Sequence, residues 1–148
     1  DSPFEVRNRL MWVKDNGVRM HTWGNDGKPS YAYKHEDIFF ACGEEANALS
    51  DYPDDVLEHS DSRFSDMSDG SNYHPTQKPV SLITDLLTNS TQKGDRILDP
   101  FMGSGTTAVA AIQNDRDYIG FEIDEDNYRS VIERRISEAK RQVNANAN

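Results

Sequence analysis

The spacing of apolar residues along this chain falls into two regimes, isolated runs before residue 74 and regular periodic segments after it. In the first, Leu10-Met11-Trp12-Val13-Lys14 predicts a strand that stops at the turn residues Asp15-Asn16-Gly17. Asp37 to Cys42, holding Ile38-Phe39-Phe40-Ala41, predicts a second and largely buried strand. Between them, residues 15–34 carry Gly, Pro, Ser and Tyr and predict a long hairpin loop. From Glu44 to Tyr73 the pattern fades into nine Asp or Glu, one Arg, and scattered Ser and Gly, which predicts a loop or poorly ordered insert.

After Tyr73 periodicity returns. Pro79 suits the first turn of a helix that runs to about Asn89, with Val80, Ile83, Leu86 and Leu87 on one face. Lys93-Gly94-Asp95 is a turn and Arg96-Ile97-Leu98 a short strand. A helix rich in Ala and Thr follows from Gly105 to about Asn114, then the strand Tyr118-Ile119-Gly120-Phe121. The last helix spans Asp124 to about Val143, with Tyr128, Val131, Ile132 and Ile136 inward, and frays over residues 144–148. Helix–strand–helix–strand–helix is the order of an α/β unit with parallel strands and right-handed crossovers.

At 148 residues the chain has the size of one domain. Its mean hydropathy is -0.82, and the periodic segments set it apart from disordered chains. No apolar run approaches the ~18 residues of a membrane span, and Asp1-Ser2-Pro3-Phe4-Glu5 lacks the basic start and apolar stretch of a signal peptide. The single cysteine, Cys42, excludes an internal disulfide or a thiolate metal cluster and reads as a buried strand residue. These features predict a cytoplasmic protein without a metal. The net charge of -10 argues against unaided nucleic-acid binding, which needs a basic footprint. Six lysines against ten arginines, with acidic, Ser and Asn residues at surface-like positions, also fit a halophilic surface.

The candidate chemistry sits at Asp99-Pro100-Phe101-Met102-Gly103-Ser104-Gly105-Thr106, between a strand and a helix. Gly103, Gly105 and the small Ala108 follow a G-x-G-x-x-G/A spacing, which lets backbone approach a ligand at a helix start. Glu122 ends the next strand, 17 residues after Gly105, where a carboxylate can take two ribose hydroxyls. A P-loop would need Lys after its last glycine, whereas Thr106-Thr107 follow here. Asp99 is unwelcome beside a dinucleotide pyrophosphate but suits an ammonium group. S-adenosylmethionine (SAM) carries an ammonium, a cationic sulfur and an adenosine ribose.

Asp-Pro-Phe-Met-Gly-Ser-Gly-Thr at 99–106 resembles the cofactor motif of DNA amino-methyltransferases, which make N6-methyladenine or N4-methylcytosine. His74-Pro75-Thr76-Gln77-Lys78-Pro79 resembles the motif that precedes it in the circularly permuted β-type group. Phe121-Glu122-Ile123-Asp124 is similar to the ribose-binding strand end, and Trp12-Val13-Lys14 and His35-Glu36-Asp37-Ile38 resemble two further strands of that group. The resemblance is strong over 73–137 and weaker over 8–43.

It implies that Asp99 contacts the methionine amino group and that backbone around Phe101, Gly103 and Gly105 lines the pocket. Thr106, Thr76 and Lys78 would approach the cofactor carboxylate, and Glu122 the ribose. His74, His35, Glu36, Trp12 and Trp23 read as packing residues. The family also uses an Asp/Asn/Ser-Pro-Pro-Tyr/Phe tetrapeptide to hold a flipped base. No such tetrapeptide occurs here; Asp1-Ser2-Pro3-Phe4 is a distant echo. By resemblance the sheet order is 3-2-1-4-5-7-6, with strands 6 and 7 at 10–14 and 37–42, and strands 1 and 2 at 96–98 and 117–122.

The expectation is therefore an α/β, incomplete doubly wound Rossmann-like SAM-dependent methyltransferase fold, completed by a complementary polypeptide that carries strands 3–5 and the tetrapeptide. It divides into a strand hairpin at 1–43, an acidic target-recognition insert at 44–73, a SAM-binding α/β unit at 74–143 and a frayed tail at 144–148. Double-stranded DNA would bind through the assembled complex, with adenine N6 taken ahead of cytosine N4 and no catalytic residue in this chain. The alternatives are a non-catalytic SAM-binding or stabilising subunit, and an RNA or small-molecule methyltransferase.

Overall fold

A computed structural model describes residues 3–14, 34–44, 46, 52–60, 74 and 76–146. Residues 15–33 of the predicted loop, which include Trp23, together with Asp1, Ser2 and most of the acidic segment, lie outside the described residues. The elements run β1 Glu5–Val13, β2 His35–Cys42, β3 Val56–Glu58, α1 Val80–Ser90, β4 Arg96–Asp99, α2 Thr106–Gln113, β5 Asp117–Gly120 and α3 Glu125–Asn146.

The strands form two sheets, β2-β1-β3 and β4-β5. β1 and β2 are antiparallel, from Glu5 opposite Cys42 to Val13 opposite His35. β1 thus starts at Glu5 rather than Leu10. Its polar first half shows no apolar alternation and is held by the ladder and by cross-strand pairs such as Arg9 Nε to Asp37 Oδ1 at 3.0 Å. Cys42 is half-buried rather than buried, because its partner is Glu5 at the open end of that ribbon. β3 is a strand where the acidic segment predicts loop. It runs parallel to β1, pairing Met11, Trp12 and Val13 with Val56, Leu57 and Glu58. Two bonds flank this pairing, Met11 N–H to Asp55 O at 2.8 Å and His59 N–H to Val13 O at 3.1 Å.

The back half follows the predicted α/β order, and β4 and β5 are parallel. The core lies between this pair and the helices, around Leu87, Ala110 and Ala111, with Val80, Ile83, Ile97 and Tyr118 packed on it. Leu82, absent from the predicted apolar face, is also buried, whereas Leu86 is only half-buried. α2 is almost all small residues, so α1 and α3 can both pack closely against it. On α3 the two buried positions are Arg135 and Ala139, while the predicted Tyr128, Val131, Ile132 and Ile136 are half-buried beside them. The helix continues through Asn146, past the predicted fraying point.

One face of the β4-β5 pair is bare: Leu98 is 64% exposed, Ile119 43% and Phe121 60%. The outer edges of β4 and β2 pair with no strand among the described residues. Parallel strands in α/β folds are normally covered on both faces.

Among the described residues, His59 and Lys78 tie the three-stranded sheet to the rest. The buried Trp12 indole donates to His59 O at 2.9 Å, and the His59 ring lies 2.9 Å from Ser81 Oγ and 3.0 Å from Asp85 on α1. Lys78 Nζ, just ahead of α1, reaches Glu36 on β2 at 2.7 Å.

Candidate cofactor site

The loop between β4 and α2 is shaped by its glycines. Gly103 and Gly105 have φ of +52° and +81°, in the left-handed region that side chains disfavour. A Cβ on Gly103 would touch the His74 ring, and one on Gly105 would meet Ile132 Cγ2 at 3.4 Å. Gly105 caps α2 with no side-chain bond, so the first turn of α2 directs backbone N–H groups outward. The loop is stitched to β5 by Phe121 N–H to Asp99 O at 3.0 Å and Met102 N–H to Phe121 O at 2.9 Å. Met102 lies across Gly120, where any side chain would collide with it.

A cavity of about 200 Å³ opens beside this loop. Of the predicted site residues, Thr76, Lys78, Asp99, Phe101, Gly103 and Thr106 line it. Gly105 and Glu122 do not. Gly105 is buried within the loop, and Glu122 lies two residues past β5, which ends at Gly120 rather than at the predicted Glu122. Glu122 Oε2 accepts the Gly103 N–H at 2.7 Å, and its Oε1 accepts the Asp124 N–H at 2.9 Å, just ahead of α3. Each carboxylate oxygen retains a second lone pair. Asp99 Oδ1 accepts the Phe101 N–H at 3.0 Å, and Oδ2 has no bond among the described residues. Phe101 itself is 87% exposed.

His74, expected as a packing residue, packs against Tyr128 and also lines this cavity. Its ring lies 4.7 Å from Tyr128 and sits under Gly103, and its Nδ1 is 3.1 Å from Thr76 Oγ1. Trp12 is likewise core. Glu36 is more than packing. Its Oε1 lies 2.7 Å from Lys14 Nζ and its Oε2 lies 2.7 Å from Lys78 Nζ. Burial pushes the Glu36 carboxyl up, but the bonds and charges of the two lysines outweigh this and hold it below its ordinary value.

Arg135 escapes the sequence reading altogether. From α3 its Nη1 reaches Ser104 Oγ at 2.8 Å, Ser104 O at 2.9 Å, Thr106 Oγ1 at 3.1 Å and Gln77 Oε1 at 3.3 Å. It joins the 74–79 motif to the glycine loop from below. The available signal is its place in the series 128, 131, 132, 135, 136, 139, where an arginine on the inward stripe of a helix needs buried acceptors. A second cavity, of about 360 Å³, lies between the three-stranded sheet and α1, walled by Leu10, Phe40, Leu57 and Leu86, and holds none of the predicted site residues.

A family model for DNA methylases of the N6/N4 type matches residues 1–134. The chain belongs to this DNA methylase family. Among its relatives, the type II methyltransferase M.HinfI of Haemophilus influenzae is 42% identical over 93% of this chain. M2.DpnII of Streptococcus pneumoniae is 30% identical over 95% of it. The crystal structure of the M1.HpyAVI–SAM complex superposes with a TM-score of 0.64 at 27% identity, covering 89% of this chain. The α/β methyltransferase fold is therefore shared with that structure. The chain spans 41% of M.HinfI, 54% of M2.DpnII and 63% of M1.HpyAVI.

Proposed function

We propose that these residues form the SAM-binding portion of a DNA amino-methyltransferase. One observation carries the reading. The ~200 Å³ cavity is lined by a carboxylate residue, Asp99, an ammonium residue, Lys78, and two hydroxyl residues, Thr76 and Thr106. That donor set complements a zwitterionic amino acid, the end of SAM that carries both an ammonium and a carboxylate. The cavity is smaller than the ~300–1,000 Å³ of typical ligand pockets, which fits one end of the cofactor while the nucleoside extends past the loop.

In this reading Asp99 Oδ2 accepts the cofactor ammonium, and Lys78, Thr76 and Thr106 take the carboxylate. Gly103 brings backbone close enough to touch the ligand, Gly105 holds the turn beneath it, and Phe101 flanks the ligand at the mouth. Glu122 offers its remaining lone pairs to the ribose hydroxyls while its N–H bonds keep it aimed. Bound SAM supplies a methyl group activated by its sulfonium. The chain's residues bind and orient it, and orientation is a major part of what such catalysis requires.

The substrate would be the exocyclic amine of a base in double-stranded DNA, adenine N6 ahead of cytosine N4. The base-holding tetrapeptide would come from polypeptide beyond these 148 residues, on the same or a complementary chain. The greater length of the relatives, the edges of β2 and β4 that are unpaired among the described residues, and the exposed Leu98, Ile119 and Phe121 support that addition. It would also supply the basic DNA-facing surface that a chain of net charge -10 lacks.

Calorimetry of the intact protein with SAM tests the site. Asp99→Ala should abolish binding while leaving the fold intact, and unchanged affinity overturns the pocket assignment. Transfer of labelled methyl to DNA but not RNA, followed by nucleoside analysis, identifies the substrate and the methylated atom.

A further inference from the structure

Lys14, Glu36 and Lys78 come from three separated parts of the sequence and meet around one carboxylate. Lys14 Nζ lies 2.7 Å from Oε1 and Lys78 Nζ lies 2.7 Å from Oε2. Both ammoniums also stand over the Trp12 ring, at 4.8 Å and 5.4 Å from its centre. Their surroundings differ. The Lys14 side chain is 2% exposed and does not line the cavity, whereas Lys78 is 42% exposed and does.

Burying an ammonium costs several kcal/mol of solvation, and replacing a buried ion pair by apolar side chains is often neutral or stabilising. Stability alone therefore gives a weak reason for a lysine at position 14. Its effect on Lys78 gives a stronger one. A carboxylate with a single ammonium partner concentrates its whole charge on that partner. Here Lys14 draws on one oxygen, so Glu36 fixes the position of Lys78 without cancelling its charge. An ammonium has three N–H donors, so Lys78 can hold Glu36 and still reach a second acceptor in the cavity. The Trp12 ring attracts both cations.

We propose that Lys14 is a positioning residue for the cofactor: by engaging Oε1 of Glu36 it leaves Lys78, held by Oε2 and Trp12, with its charge available to the carboxylate of the SAM amino-acid end. This rests on the cavity being the SAM site proposed above. The ligand pair that isolates the effect is SAM and decarboxylated SAM, which keeps the ammonium, sulfonium and nucleoside.

Calorimetry with the intact protein is the first test. A unit charge acting through one intervening group at an effective dielectric near 20 is worth roughly tenfold, so Lys14→Met should weaken SAM about tenfold and decarboxylated SAM less than about twofold. Lys14→Arg should restore SAM affinity, and Lys14→Met should add nothing in a Lys78→Met background. Equal weakening of both ligands, or of neither, overturns the assignment. Wild-type protein that binds neither ligand overturns the cofactor reading itself and this assignment with it. The second test leaves the lysines intact. In a Trp23→Phe protein Trp12 is the sole tryptophan, and its emission should shift with SAM and not with decarboxylated SAM. The same shift with both ligands, or none with either, refutes a Lys78 that responds to the carboxylate.

Discussion

Replacing Arg135 by Met tests whether one buried guanidinium holds the glycine loop against the 74–79 motif. Nη1 carries two hydrogens and faces four acceptors, the nearest being Ser104 Oγ at 2.8 Å and Ser104 O at 2.9 Å. Charge-assisted hydrogen bonds contribute about 1.5–3 kcal/mol each, so losing two removes about 3–6 kcal/mol. Methionine keeps the volume of the stem and returns part of this through packing, which leaves a loss of about 3 kcal/mol. At about 2–4 °C per kcal/mol for a domain of this size, the melting temperature should fall by about 6–12 °C. Thermal unfolding followed by circular dichroism measures it. SAM affinity, read by calorimetry below the melting point, should fall about tenfold, because Ser104 and Thr106 lose the group that sets their positions. Arg135→Lys should recover only part of either loss, since an ammonium cannot span the same acceptors. A melting shift under about 3 °C would mean that the loop holds its own conformation, and the reasoning would fail.

Gly105→Ala should cost about 1–2 kcal/mol, since φ is +81° and the new methyl meets Ile132; denaturant unfolding measures it, and a neutral result would show that the loop relaxes freely. Acid stability should depend on Glu36. Its folded carboxyl titrates below the ordinary 4.5, so its contribution is complete above that value and is lost as pH falls through the lower folded one. The melting difference between wild type and Glu36→Gln should then be constant from about pH 8 to pH 5 and shrink in more acid solution, and a difference that grows in acid contradicts the ion-pair account.

Much of the back half is legible in the sequence. A strand, a glycine loop, a helix of small residues, a second strand and a terminal acid occupy neighbouring stretches between Arg96 and Glu122, and their signals are local. Turn glycines at 103 and 105 state their own backbone requirement. Asp99, Phe101, Gly103 and Thr106 share one cavity because they share one loop, whereas Thr76 and Lys78 join them across the intervening helix. Glu122 shows the limit. Its place near the strand end was readable, but its bond to Gly103 N–H spans 19 residues and was not.

What tertiary structure alone decided lies in longer contacts. β3 is three residues in an acidic stretch with no strand signal of its own, and only the backbone of β1 makes it a strand. Lys78 and Glu36 are 42 residues apart, Arg135 and Ser104 31 apart. Each is an ordinary polar residue in its local context. The sequence by itself determined the α/β unit, the cofactor loop and the likeness to the amino-methyltransferases, because turn chemistry and periodicity act over a few residues. Only the fold decided that one glutamate serves two lysines and that a buried arginine anchors the loop, because a buried charge takes its meaning from whatever the rest of the chain packs against it.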